Sequence, residues 1–256
     1  MQNNTFSTLF VGRNIVNLAR VDSTNNYLKD QLTKSEPLPE GTVILAEEQF
    51  AGRGQTSNIW VSQPGKNLTF SLLLNPTFIS PEFQFALNKL ISIAINDCLV
   101  KIIGEGVKIK WPNDIYFKDK KLGGVLIENI IRGSKLMHSI IGIGINVNQI
   151  DFPENLTNVT SLSKILHQDY DVNLILAELC KLIEQYYLQF RSKNTELINN
   201  LYLKNLYRLN EWHWYRINNL VKEGKIIGTD IYGKLEIIID DKTQVYDFKE
   251  IEFLLK

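Results

Sequence analysis

Residues 139–147 read SIIGIGINV, a run that is β-branched and apolar almost throughout. A strand with one wet face alternates polar and apolar residues, whereas one without that alternation is covered on both faces. The chain must therefore place strands beside this segment and pack a layer over each of its faces. Gly142 and Gly144 alternate within the run. Two missing side chains on one face leave room there for a ligand, and the same alternation puts Asn146 on that face. The pattern is not a dinucleotide fingerprint, which needs Gly-x-Gly-x-x-Gly at a strand-to-helix turn.

Other segments supply the layers. Ile15–Val21 alternates loosely as a strand, and Asp22, Ser23 and Thr24 offer N-caps for a helix to about Leu32, broken by Pro37, Pro39 and Gly41. Residues 43–47 and 68–74 are predicted strands. Between them, residues 50–65 are polar, contain glycine and show no period; a loop this long is usually functional or disordered. Apolar residues at helical spacing, from Phe85 to Leu99, predict a helix over 81–103. A strand over 107–111 is cut by the turn former Pro112-Asn113-Asp114, and strands at 115–117 and 124–129 flank a hairpin connection at 118–123. Helices are predicted from Ser161, over 174–190 and over 196–209. From Trp212 the period drops to about 2. Strands near 214–221, 225–230, 234–239 and 243–249, separated by Glu223-Gly224, Tyr232-Gly233 and Asp240-Asp241, form a small meander or barrel.

Charge and composition exclude several functions. The 28 Lys+Arg balance 28 Asp+Glu, so the cationic excess of a nucleic-acid or anionic-membrane binder is missing. A hydrophobic share of 44% excludes disorder for the chain as a whole. No stretch of 18 apolar residues is present and residues 1–14 do not resemble a secretory leader, so a cytoplasmic location without a membrane partner is expected. Cys98 and Cys180 cannot form a disulfide framework. Both fall on apolar helical faces and are expected to be core thiols. His138, His167 and His213 lie far apart with no ligand spacing, and no structural metal site is expected. Trp212-His213-Trp214 is expected to pack as an inter-domain junction.

Two further segments could carry chemistry. In Gln49-Phe50-Ala51-Gly52-Arg53-Gly54-Gln55, followed by Trp60, glycines let the backbone approach a ligand and Arg53 presents a planar fork for carboxylate or phosphate. In Lys110-Trp111-Pro112-Asn113-Asp114, followed by Lys121-Leu122-Gly123-Gly124, two readings stand side by side. The lysines keep a solvated hairpin soluble, or Lys121 projects from the strand entrance toward an anion, with Gly124 leaving room.

Taken in order and spacing, Asp22-Ser23-Thr24-Asn25, the 49–54 loop with Trp60, the 110–114 pentapeptide with Lys121 and Gly124, and Gly142 to Asn146 resemble the biotin protein ligase family. The resemblance is close over residues 18–162 and weaker over 212–256, which resembles the family's small SH3-like domain. It implies an α+β fold: a mixed β-sheet with helices packed on one side over residues 1–208, and a small SH3-like β domain over 209–256. It also implies ATP-dependent activation of biotin to biotinyl-5'-AMP, with Mg²⁺ accompanying the ATP, then transfer to a lysine of a biotin carboxyl carrier protein or a carboxylase's carrier domain.

The resemblance implies roles residue by residue. Ser23, Thr24 and Asn25 match the segment at biotin's ureido ring. Gln49, Gly52, Arg53, Gly54 and Gln55 match the loop over biotin and adenylate. Lys121, with Gly124 beside it, matches the lysine at the biotin carboxylate and α-phosphate. Asn113, Trp60, Gly144 and Asn146 match positions near the nucleotide. Lys121 and Arg53 are the expected catalytic cations, and no protein-bound metal is expected. The family often pairs through a sheet edge, so a homodimer is possible.

One departure lies in the loop. After Gly54 the family often continues with basic residues and a glycine; here Gln55-Thr56-Ser57-Asn58 stands. The family's regulatory members also carry a winged-helix extension of about 60 residues, whereas 21 residues precede Asp22, and specific DNA binding is not expected. Two alternatives remain. A lipoate ligase of the same superfamily would carry Arg-Arg-x-Ser-Gly-Gly-Gly in the loop, which this chain lacks. A non-catalytic biotin-binding module would not need both cations.

Overall fold

The computed structural model describes residues 7–254 apart from 35, 37, 56 and 57. Loop positions Thr56 and Ser57 and the break at Pro37 thus lie outside the described residues. Strand β1 (Ile15–Val21) leads through helix α1 (Thr24–Gln31) into β2 (Val43–Gln49), which runs parallel to β1. A parallel pair needs such a crossover, and here it is a single short helix. The chain continues through β3 (Leu68–Leu74), a 3-10 turn at Pro81–Phe83, α2 (Phe85–Ile103), β4 (Val107–Lys110), β5 (Asp114–Phe117), β6 (Lys120–Arg132) and β7 (Lys135–Ile145). These strands form one mixed sheet in the order β1-β2-β3-β7-β6-β5-β4. The glycine-bearing strand β7 lies near the middle, between β3 and β6, as its continuous apolar run requires.

Each strand's alternation sorts its side chains onto two faces. Leu68, Phe70, Leu72 and Leu74 join the large core under α2, which also takes in Leu179 and Ile183 of α4 (Val172–Arg191) and Ile198 of α5 (Thr195–Lys204). Leu73 points the other way and packs with Ile44, Ile140 and Leu28 of α1. The long helices therefore cover one face, while α1 lies alone on the other. That half-covered face has space for a site, and it carries Thr69, Ser71 and the bared positions of β7.

Helix α3 (Leu162–Leu166) starts at the Ser161 N-cap, whose hydroxyl accepts from the Lys164 N–H at 3.2 Å. The helix predicted over 196–209 stops earlier, at Lys204. Leu206 instead bridges to Ile109 at the sheet edge and Leu209 bridges to Ile226 of the second sheet. These backbone pairings, with Arg208 and Asn210 at φ of 61°, win over the helical apolar spacing.

The C-terminal unit is a five-stranded antiparallel sheet in the order β11-β10-β9-β8-β12. Its strands are β8 (Trp212–Ile217), β9 (Leu220–Thr229), β10 (Leu235–Ile239), β11 (Lys242–Tyr246) and β12 (Ile251–Phe253). The sequence expectation of a strand over 214–221 and a turn at Glu223-Gly224 is corrected. The turn is Asn218-Asn219, both in the left-handed region that a tight hairpin demands and that Asn tolerates. Gly224 lies inside β9, where a Cβ would stand 2.7 Å from Ile237.

A second correction concerns Trp212 and Trp214. Each is 49% exposed and faces outward from β8, while Tyr215, on the opposite face of the same strand, is fully buried. The junction is built elsewhere: Trp111 Nε1 donates to the Gly233 carbonyl at 2.8 Å, and Phe83 stacks on Tyr232 with centroids 6.2 Å apart. Gly233 is a position where glycine is required. Its φ is +91°, and a Cβ would stand 2.0 Å from the Phe85 ring.

Cys98 and Cys180 are buried in the large core, and burial pushes both thiols up to about 12. The thiolate is the reactive form. Iodoacetamide at pH 8 should leave both unmodified in the native protein and alkylate both after denaturation, read by mass spectrometry; rapid native labelling would show that the helix packing opens.

Candidate active site

A cavity of about 490 Å³ opens on the α1 face of the large sheet. Its floor is set by backbone rather than side chains. A Cβ on Gly144 would stand 2.5 Å from the Trp60 indole, and one on Gly142 would stand 2.6 Å from Asn25 Oδ1. Two alternate glycines thus let an indole and an amide settle directly on the strand.

At one end the start of α1 is wired to its neighbours. Asn25 Nδ2 donates to Glu128 Oε2 at 2.8 Å and more weakly to the Leu126 carbonyl at 3.3 Å. The Ser71 hydroxyl donates to Asn25 Oδ1 at 2.6 Å and lies 2.7 Å from Thr24 Oγ1. The amide and hydroxyl of Thr24 both reach Gln49 Oε1, at 2.7 and 2.9 Å. Ser23, Thr24 and Asn25 are all nearly inaccessible to solvent. The Ser23 side chain makes no cap hydrogen bond to α1 and lines the cavity.

The 49–60 loop forms one wall. Gly54 donates its N–H to the Asn58 carbonyl and Trp60 donates to Gly52, so the loop folds back on itself. Gly52 does not line the cavity; a Cβ there would strike the Trp60 carbonyl at 2.4 Å. Its role is close backbone approach. Arg53 reaches back over the start of α1, with Nη2 2.7 Å from Glu128 Oε1 and Nη1 on Asn26 Oδ1. Burial pushes the Glu128 carboxyl up, but the hydrogen bonds from Arg53 and Asn25 outweigh it and hold it below the usual range.

At the opposite end, Lys121, the second residue of strand β6, pairs with Asp114 at 2.6 Å. The hairpin connection predicted over 118–123 is tighter than expected, turning at Lys118 and Asp119, so Lys121 belongs to the strand and its Nζ is aimed. Gly124 leaves it room, since a Cβ there would stand 3.4 Å from Nζ. Lys110 lies nearby, with Nζ 4.9 Å from the Tyr116 ring centre and 5.0 Å from that of Phe253. Burial lowers the Lys110 pKa, with the Asp114 charge opposing. Phe248, Ile251, Glu252 and Phe253 bring the C-terminal unit to the cavity rim.

The structure gathers Ser23, Thr24, Asn25, Gln49, Arg53, Gly54, Gln55, Trp60, Asn113, Lys121, Gly124 and Gly144 around one space. Asn146 is not among them. Strand β7 ends at Ile145, so the alternation that predicts Asn146 on the glycine face stops one residue short. Its buried amide donates instead to the Thr160 carbonyl at 3.0 Å, bracing the segment that pairs with Lys121 through the Asn158 and Thr160 backbone. Sequence reasoning missed Ser71, Glu128 and the C-terminal rim. Ser71 had a signal: Thr69 and Ser71 are polar at alternate positions of an otherwise apolar strand.

The model of the biotin/lipoate A/B protein ligase family matches residues 18–146. The bifunctional ligase/repressor of Bacillus subtilis is 34% identical over 200 residues, covering 77% of this chain and 61% of the relative. This chain thus spans less than two thirds of that relative's length. The biotin–[acetyl-CoA-carboxylase] ligase of Paracoccus denitrificans is 33% identical over 135 residues, covering 51% of this chain and 53% of the relative. The structure of the Aquifex aeolicus biotin protein ligase in complex with biotin and ATP superposes with a TM-score of 0.79 at 30% identity, covering 95% of this chain and 100% of that one. With the glycine-bared strand, the loop, the lysine pair and the C-terminal sheet all in place, this chain belongs to the biotin/lipoate A/B protein ligase family.

Proposed function

We propose that the chain activates biotin with ATP and transfers the biotinyl group to a lysine of a biotin carboxyl carrier protein or carrier domain. The observation that carries the proposal is the division of one cavity into two chemically distinct ends. Ser23, Thr24 and Asn25 offer short hydroxyl and amide groups, which suit a neutral polar ring such as the ureido group. Lys121 and Lys110 offer ammonium groups some distance along the same floor, which suit a carboxylate and phosphates. The curated relatives named above are ligases, and the superposed structure holds biotin with ATP.

The reaction follows from that division. An oxygen of the biotin carboxylate attacks the α-phosphorus, the bond to pyrophosphate breaks, and biotinyl-5'-AMP forms. Two anions must meet, so Lys121 is placed where it offsets their repulsion and the charge growing on the phosphoryl oxygens. Holding the reactants in line supplies most of the rest. In the second step an unprotonated lysine amine of the carrier attacks the acyl carbon and AMP leaves. Mg²⁺ accompanying ATP would supply positive charge at the phosphates, and Asp114 and Glu252, the carboxylates that line the cavity, would be the residues to hold it, since carboxylate oxygen is the donor that ion takes. Water destroys the mixed anhydride, so the wall formed by Arg53, Gln55 and Trp60 has a protective task.

Biotin-dependent exchange of labelled pyrophosphate into ATP tests the first step, and the mass shift of a carrier domain incubated with the protein, ATP, Mg²⁺ and biotin tests the second. Both are expected. Exchange driven by lipoate and not by biotin would favour the lipoate reading, and biotin binding without exchange would favour a non-catalytic module.

A further inference from the structure

Glu128 lies on β6, beyond the lining of the cavity, yet it joins two residues that face it, one on α1 and one on the 49–60 loop. Its two carboxylate oxygens are divided between them: Oε1 takes Arg53 at 2.7 Å and Oε2 takes Asn25 at 2.8 Å. Each contact fixes something the cavity needs. An Asn amide can turn over, exchanging its donor and acceptor. With Glu128 accepting from Nδ2 and Ser71 donating to Oδ1, only one orientation of Asn25 is satisfied. Arg53 sits on the 49–60 loop and has other directions open to it. Glu128 and Asn26 draw its guanidinium back over the start of α1, so the loop wall stands against the ureido end.

We infer that Glu128 is a positioning residue that sets the orientation of Asn25 and the place of Arg53 together, so that the ureido end of the cavity is formed before biotin arrives. The inference rests on the proposed biotin function. A carboxylate is required for the task, because both partners are donors and each needs its own acceptor oxygen. The amide of Glu128→Gln has one acceptor oxygen. Its NH₂ would face either the Asn25 amide nitrogen or the Arg53 guanidinium, donor against donor, so one of the two contacts is lost whichever way it turns. Glu128 therefore acts on biotin through Asn25 and Arg53, and its effect must vanish when they are gone.

A double-mutant cycle reads this directly. Biotin binding is measured by calorimetry, without nucleotide, for the native protein, Glu128→Gln, Asn25→Ala/Arg53→Ala and the triple variant, with the melting temperature of each recorded. Glu128→Gln is expected to weaken biotin about tenfold in the native background, the worth of roughly one lost charge-assisted hydrogen bond. In the Asn25→Ala/Arg53→Ala background the same change should cost less than about twofold. A merely structural role would give equal losses in both backgrounds, tracking the melting temperature, and that outcome overturns the inference. So does a Glu128→Gln protein that binds biotin as tightly as the native one. A native chain that binds no biotin overturns the proposed function, and the inference with it.

Discussion

Lys121→Gln is expected to slow single-turnover adenylation of biotin by roughly 30- to 1000-fold, the range of about 2–4 kcal/mol seen when one preorganised donor to a developing oxyanion is removed. Two physical terms point the same way. The ammonium that would meet the carboxylate and the phosphate is lost. In addition Asp114, paired with Lys121 at 2.6 Å, loses that partner in a cavity that must admit two more anions. The fold should survive, because the Lys121 backbone, not its side chain, holds the pairing with Asn158 and Thr160. Lys110 is not a substitute. Its Nζ is held against the Tyr116 and Phe253 rings, and burial already weakens its hold on a proton. The variant Lys121→Gln/Asp114→Asn removes the Asp114 carboxylate as well and should regain part of the rate, and the difference between the two variants measures the second term. Quenched-flow measurement of adenylate formation decides the matter; Lys121→Gln at near-native rate would remove Lys121 from the chemistry.

How much of this was legible in the residues depends on the range of the interaction involved. The centre of the large sheet was legible because residues 139–147 cannot sit anywhere with a wet face, and β7 does lie between β3 and β6. The helix under it was legible because nineteen residues, Phe85–Ile103, hold their apolar spacing. Errors fell where a short turn or a distant backbone decides. Asn218-Asn219 turns a hairpin because two Asn residues accept positive φ, a local signal that competes with the glycine of Glu223-Gly224 five residues on. Residues 205–209 keep helical spacing, yet Leu206 and Leu209 bridge two different sheets, a fact of tertiary approach. The same holds for the site. Motif residues such as Lys121 and Arg53 could be named from spacing. Glu128 and Ser71 could not be joined to Asn25 from sequence, since they meet it only across neighbouring strands and 103 and 46 residues away. The C-terminal rim was hidden for a like reason: the second sheet meets the first where Trp111 donates to the Gly233 carbonyl, and not through the exposed Trp212 and Trp214.

The close contact between β7 and α1 yields the other large effect. Gly142→Ala should cost the chain most of its affinity for biotin. The added Cβ would stand 2.6 Å from Asn25 Oδ1, 3.1 Å from its Cγ and 3.2 Å from its Nδ2, so the whole amide lies on the space the methyl needs. Contacts under 3.0 Å force something to move, and Asn25 is poorly able to: Ser71 grips its oxygen at 2.6 Å while Glu128 grips its nitrogen at 2.8 Å. Strand β7 cannot retreat either, because Gly142 is paired to Ser71 on one side and to Leu126 on the other. The methyl is therefore accommodated by breaking the amide's hydrogen bonds. Losing two at about 1 kcal/mol each corresponds to a loss of roughly thirtyfold in biotin affinity, and the overpacking should cost about 1–3 kcal/mol of stability, a few degrees in melting temperature. Gly228→Ala is the matched control. It places the same methyl in a strand of the second sheet, where the nearest atoms would be 3.4 and 3.5 Å away in ordinary contact, and it lies away from the cavity. Calorimetric titration of both variants with biotin, beside their melting curves, separates the effects. Native-like biotin affinity in Gly142→Ala would mean that Asn25 yields freely and that the bared strand is not what shapes the ureido end.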